Sequence, residues 1–310
     1  MSLGAAAPSV GDVLGGLAVA CGSYRLEGVD GVEALPPALV AMLHEALAEP
    51  FVNAVGSLAR GREVPEPRWT LGDAWSVRVA ELSRGPAVPT NELVWVQAEG
   101  AAARVVADDR GLSARLDVWA GPRAVTLVPV GQARRTTVAA LAEELAALAA
   151  PSGSGDETPV TVQLSSPFDT RGRPFDLASA ARAAVLTMLR RALDERPDWL
   201  ARGEVKAWCE AQADLVAASF VGVASEAALD THASRPRKST SNAHHFRTAG
   251  RTGTLKLRGA APCALGLVGL AVQGGRLRKL GLGDVRLSVG QRIFWPPQQS
   301  DDERAASRQI

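Results

Sequence analysis

Between Thr231 and Gly283 the chain contains no Asp or Glu, yet it carries Arg235, Arg237, Lys238, Arg247, Arg251, Lys256, Arg258, Arg276, Arg278 and Lys279. Three of the four histidines, His232, His244 and His245, lie in the same stretch. In a chain whose net charge is only +1 this is a concentrated positive face, and it predicts a phosphate-rich partner. Lys occurs only at positions 206, 238, 256 and 279, so nearly all the positive charge is Arg. Guanidinium groups suit bidentate phosphate contacts and stacking on bases.

Histidine adds a second kind of chemistry. Metal-free cleavage of RNA needs a base for the 2′-hydroxyl, an acid for the leaving 5′-oxygen and cations around the phosphorus, and imidazole titrates where both proton roles are available. His44, on a helix of the first half, could pair with His244 or His245 of the basic segment across a scissile phosphate. The same three residues also fit ordinary surface positions or plain phosphate contacts. No carboxylate or thiolate accompanies them at ligand spacing, so neither a metal nor a cofactor is expected. Phe246, directly after the histidine pair, is the aromatic best placed in sequence to stack on a base.

The basic segment ends in Gly274-Gly275-Arg276-Leu277-Arg278-Lys279-Leu280-Gly281-Leu282-Gly283. Glycines let backbone N–H groups approach an anion closely, and Arg276, Arg278 and Lys279 complete the charge. The loop lacks the Gly-Lys-Ser/Thr ending of a nucleotide P-loop and no amphipathic helix follows it, which argues against ATP. A glycine-rich connection that only turns the chain is the alternative.

Elements able to position these residues can be read from periodicity. Val10 to Gly28 predicts a strand, and Leu35-Pro36-Pro37 opens a helix whose Leu39, Met42, Leu43 and Leu47 share a face with His44 beside them. Period-two patterns predict strands at 69–81, 93–97 and 103–107 and one or two strands over 116–128, where Trp69, Trp75, Trp95 and Trp119 are expected to be core. A helix follows at 137–149, and Pro151-Ser152-Gly153-Ser154-Gly155 reads as a linker. The second half predicts a strand at 159–165, helices at 177–193 and 200–213, a strand at 217–223, a strand or hairpin at 253–258, an apolar helix at 263–273 and a closing strand at 284–289. The fold class expected is α+β, two tandem ferredoxin-like (split βαβ) domains. Their expected limits are 1–150 and 158–295, joined by a linker at 151–157 and followed by a disordered tail at 296–310.

Length and composition agree with two domains of a soluble protein, with no run apolar enough to span a bilayer and no secretory signal. Three widely spaced cysteines, Cys21, Cys209 and Cys263, argue against a disulfide framework, so a cytoplasmic setting is expected.

The stretch Val160 to Val289 resembles the C-terminal part of the CRISPR-associated precursor-RNA processing endoribonucleases of the RAMP superfamily, the Cas-six type. Three segments carry the resemblance: residues 160–173 (VTVQLSSPFDTRGR) with the Arg-bearing helix after them, residues 247–259 (RTAGRTGTLKLRG), and the loop 275–283 (GRLRKLGLG). In that loop Gly275, Gly281 and Gly283 hold the family's glycine places, and Arg276 stands where Lys is usual. Leu277 and Leu280 depart from it, standing where a glycine and an aromatic are common. The first half is similar more loosely, at Leu35-Pro36-Pro37, Leu43 to Leu47 and Leu71-Gly72-Asp73. The resemblance implies two ferredoxin-like folds flanking a basic cleft for CRISPR repeat RNA, and metal-independent cleavage leaving a 2′,3′-cyclic phosphate. It also implies a catalytic histidine near the first helix, here His44.

The leading expectation is therefore a CRISPR repeat endoribonuclease that cleaves precursor crRNA. His44, His244 and His245 are its proton-transfer candidates, and Arg247, Arg251, Lys256, Arg258, Gly275, Arg276, Arg278, Lys279, Gly281 and Gly283 hold the RNA. Expected partners are the repeat RNA or crRNA and other CRISPR effector subunits, with no membrane. A non-catalytic subunit that binds or caps guide RNA is the second reading, and a protein-interaction module without nucleic acid the third.

Overall fold

The computed structural model describes residues 8–27, 75–79, 93–100, 103, 116–120, 123–130, 133–151, 157–170, 173–195, 199–201, 203–232, 250–275 and 283–297. The chain is a mixed α+β protein with two antiparallel sheets. The first holds β1 (Ala18–Glu27), β2 (Trp75–Val79), β3 (Leu93–Glu99), β4 (Leu116–Ala120), β5 (Arg123–Pro129) and β6 (Arg134–Thr137). Their order is β2-β3-β1-β5-β4. β6 also pairs with β1, opposite Ala18 to Cys21, while β5 takes Tyr24 to Glu27, so the two share one edge of the central strand.

The second sheet holds β7 (Val160–Phe168), β8 (Ala224–His232), β9 (Gly250–Arg258), β10 (Val285–Val289) and β11 (Arg292–Trp295). Its order, β11-β10-β7-β9-β8, puts β7 and β9 at the centre. Without β11 this is the strand order of the split βαβ unit. Alternation explains the central strand β7: Val160, Val162 and Leu164 are buried while Gln163 is exposed.

Helices whose limits lie among the described residues are α1 (Val10–Gly15), α2 (Val138–Ala149), α3 (Leu177–Glu195), α4 (Val205–Ala218) and α5 (Ala264–Gln273). α2 starts at Thr137, whose hydroxyl accepts the Ala140 N–H at 3.2 Å, and Leu141 and Leu145 form its buried stripe. α5 is apolar up to its last residue, Gln273, and lies between neighbours on several sides. Two glycines permit the close approach: a methyl at Gly269 would lie 2.7 Å from a Val185 methyl, and one at Gly266 would lie 2.7 Å from the Phe220 ring. One hydrophobic cluster runs from Val13, Leu17 and Leu141 through Val185 and Leu267 to Leu287 and Phe294, so apolar residues of both halves pack together.

Several elements differ from the sequence expectation, among them the unexpected strands β6 and β11. Val10–Gly15 is a short helix rather than part of a strand, because Ser9 and Asp12 form a reciprocal capping box. Residues 217–223 end α4 and turn, and the strand begins at Ala224, an edge strand of mostly small residues that forms by backbone pairing with β9. Ala103 is helical, not the start of a strand, and residues 104–107 lie outside the described residues. Trp95 is buried as expected. Among the described residues no helix is long and apolar enough to cross a membrane.

Candidate nucleic-acid interface

The strand β7 ends in Ser165-Ser166-Pro167-Phe168, and a proline inside a strand signals a bulge. The pairing shows one: Leu164 lies opposite Gly253 and Phe168 opposite Arg251, so three residues of β7 face one of β9. The backbone freed by this bulge turns to the start of β10. The Ser165 N–H donates to the Asp284 carbonyl at 3.0 Å, the Ser166 hydroxyl accepts the Asp284 N–H at 2.8 Å, and the Pro167 carbonyl accepts the Gly283 N–H at 3.0 Å.

Gly283 and Gly275 meet at the foot of residues 276–282. The Gly275 N–H donates to the Gly283 carbonyl at 2.7 Å, and a methyl carbon on Gly283 would sit 2.5 Å from the Gly275 Cα. Gly283 has φ +71°, so side chain and conformation both require glycine there. A methyl on Gly275 would lie 3.3 Å from the Phe168 ring, which in turn packs edge-on against Phe175 with ring centres 5.3 Å apart.

Phe168 also touches the other basic segment. A methyl on Gly250, the first residue of β9, would lie 2.5 Å from the Phe168 carbonyl oxygen. Gly250 pairs with His232, and these two are the feet of residues 233–249. The described ends of the two acid-free stretches, Gly250 for 233–249 and Gly275 for 276–282, therefore both adjoin Phe168. Arg251 stands beside these feet and donates to the Thr231 hydroxyl.

The expected site residues separate into three groups. Arg251, Gly275 and Gly283 are brought together at Phe168. Lys256 and Arg258 are exposed on β9, opposite the buried Leu255 and Leu257, but they lie about 17 Å and about 24 Å further along the strand at roughly 3.4 Å per residue. The register puts Lys256 across from Glu226 and Arg258 across from Ala224. His44, His244, His245, Arg247, Arg276, Arg278, Lys279 and Gly281, with Phe246, lie outside the described residues. Among the described residues no group of His, Cys, Asp or Glu is arranged to hold a metal ion.

The first acid after the basic stretch, Asp284, is directed inward. Its carboxylate lies 3.5 Å from the Arg286 guanidinium, both are largely buried, and Arg286 lies over the Trp95 ring of β3 at 5.2 Å. The arginines of α3 are likewise engaged with acids: Arg182 pairs with Asp214, Arg190 with Glu210, and Arg191 with Glu99. The Arg182 partner holds the Asp214 carboxyl below its ordinary value. Among the described residues, Arg251, Lys256 and Arg258 of β9 have no ion pair with an acid, in contrast to the arginines of α3.

No family model matches the chain, and no curated protein matches it. Among solved structures, a Cas6 in a substrate mimic complex is 17% identical with a TM-score of 0.42, covering 88% of this chain and 99% of that one. Thermus thermophilus Cas6 is 15% identical with a TM-score of 0.41, covering 91% of this chain and 99% of its own. A Cas6-related protein from Pyrococcus furiosus is 11% identical with a TM-score of 0.40, over 87% and 98%.

Proposed function

We propose that this protein binds CRISPR repeat RNA by its phosphodiester backbone and cleaves the precursor without a metal ion. The observation that carries the reading is that the described ends of two acid-free basic segments adjoin Phe168, with Gly250 against its carbonyl and Gly275 against its ring. Two cationic segments whose ends adjoin one residue are suited to act on the same stretch of backbone, and Arg251 adds a guanidinium beside those ends. The glycine pair at the foot of the loop and the resemblance of residues 160–173, 247–259 and 275–283 to the processing endoribonucleases support RNA over another polyanion.

In the reaction, one of His44, His244 and His245 removes the proton from the 2′-hydroxyl. That oxygen attacks the adjacent phosphorus in line and closes a 2′,3′-cyclic phosphate. A second histidine protonates the departing 5′-oxygen, and the surrounding Arg and Lys groups stabilise the charge on the phosphorane. CRISPR effector subunits are the expected protein partners.

Labelled repeat RNA incubated in EDTA and resolved on a denaturing gel tests this. One discrete cut ending in a cyclic phosphate, lost in His44→Ala or in the His244→Ala/His245→Ala double variant, is expected. Wild-type rates in both variants would remove the histidines from the mechanism. Tight, salt-sensitive binding with no cut would leave only the RNA-holding part of the reading, and no binding at low salt would end it.

A further inference from the structure

Strand β3 presents Trp95, Gln97 and Glu99 on one face by the period-two alternation, and all three are buried. Each reaches a different part of the second half. The Gln97 side-chain amide donates to the Val272 carbonyl at 2.6 Å and its oxygen accepts the Trp295 indole N–H at 2.9 Å. The Trp95 indole donates to the Pro297 carbonyl at 3.2 Å, and its ring carries Arg286 at 5.2 Å. Glu99 accepts from Arg191.

Two of these contacts flank the glycine loop. Val272 is in the last turn of α5, just before Gly274 and Gly275, where helix carbonyls have no partner within the helix. Arg286 follows Gly283 and Asp284 at the start of β10. The entry and the exit of the loop are thus both fastened to one strand of the other sheet. We infer that β3 is the mount that holds Gly275 and Gly283, the described ends of the glycine loop, against the first half, and that Gln97 is a positioning residue for RNA binding. The second statement rests on the proposed RNA function; the first does not. A glutamine is suited to the task because it donates to one half-site and accepts from the other, a pairing that neither a carboxylate nor an aliphatic side chain can reproduce.

The test compares Gln97→Met with Trp295→Phe, which keeps the Gln97 to Val272 bond, at a temperature where circular dichroism shows both fully folded. Two readouts are followed: hydrogen exchange of the Gly275 and Gly283 amides, and affinity for repeat RNA as a function of salt. In Gln97→Met the two glycine amides are expected to exchange about tenfold faster while core amides of β7 keep their rates. RNA affinity is expected to fall about five- to tenfold, with the salt slope reduced by about one phosphate contact. Trp295→Phe is expected to leave both readouts near wild type.

Should Gln97→Met fail to fold, Arg286→Lys, which keeps the charge but loses the flat contact with Trp95, tests the exit side by the same readouts. Unchanged glycine exchange in the folded variant, or acceleration spread evenly over all amides, would overturn the mount. If the wild-type protein does not bind RNA, the functional reading falls while the exchange experiment still decides the mount. Loosened glycines with unchanged RNA affinity would overturn the role of Gln97 in binding.

Discussion

The Glu99 carboxylate accepts a hydrogen bond from the Arg191 guanidinium with both side chains shut away from solvent, joining the end of β3 to the C-terminal part of α3. Such a pair adds little stability over a well-packed apolar one, but removing one partner strands a buried charge. Arg191→Met is therefore expected to cost about 3–5 kcal/mol in urea unfolding, and the double variant Glu99→Leu/Arg191→Met to recover most of that loss. A double variant as unstable as the single one would mean that the charges themselves hold the seam.

Gly283 and Gly290 both have positive φ, +71° and +58°, but only Gly283 is crowded by backbone, the Gly275 Cα at 2.5 Å. A methyl at Gly290 would meet nothing nearer than a Thr158 methyl at 3.3 Å. Gly290→Ala is expected to cost about 1–2 kcal/mol from backbone strain, and Gly283→Ala about 2–4 kcal/mol because overpacking is added to it. RNA affinity is expected to fall in Gly283→Ala alone. Equal thermal shifts in the two variants would show that the glycine contact yields easily.

Arg251 lies at the common foot of the basic segments, whereas Lys256 and Arg258 lie far along β9. Each alanine substitution is expected to lower the salt slope for long repeat RNA by about one. A short oligonucleotide that still binds is expected to lose affinity only with Arg251→Ala. Equal sensitivity of the short ligand to Lys256→Ala would place the RNA track along the sheet instead of at Phe168.

Tyr24 is the only tyrosine in the chain, so its titration can be followed without overlap from another phenol. Burial pushes its phenol well above the ordinary value, and a nearby Cys21 adds to the rise. The raised value means that the neutral phenol is favoured in the folded state. Its contribution to stability is complete below the ordinary tyrosine value of about 10 and is lost as pH rises above that. Urea midpoints are expected to fall across this range in the wild type more than in Tyr24→Phe. Tyrosinate absorbance appearing at the ordinary pH in the folded protein would contradict the burial argument.

Much of the framework was legible because it rests on local signals. Val160, Val162 and Leu164 announce β7 by alternation, and the stripe of Val138, Leu141 and Leu145 announces α2. Even the short helix at Val10 carried its signal, the Ser9 to Asp12 capping pair, which the surrounding alternation obscured. At the site, Gly275 and Gly283 could be singled out because glycine is chemically conspicuous. Phe168 could not, since its role comes from its place against Gly250 and Gly275, residues distant in sequence and brought together only by the fold. The seam was illegible for the same reason. Gln97, Val272 and Trp295 are ordinary residues until the fold puts one side chain between the other two.

The ties between β3 and the end of the chain also set a timetable for synthesis. Gln97 finds its Trp295 partner 198 residues later, and Trp95 finds Pro297 after 202. At about 5–20 residues per second on the ribosome, the inner face of β3 waits roughly 10–40 s for its cover. During that interval Trp95 and its neighbours are open to mispairing, and a chain that stops short of Trp295 never closes them.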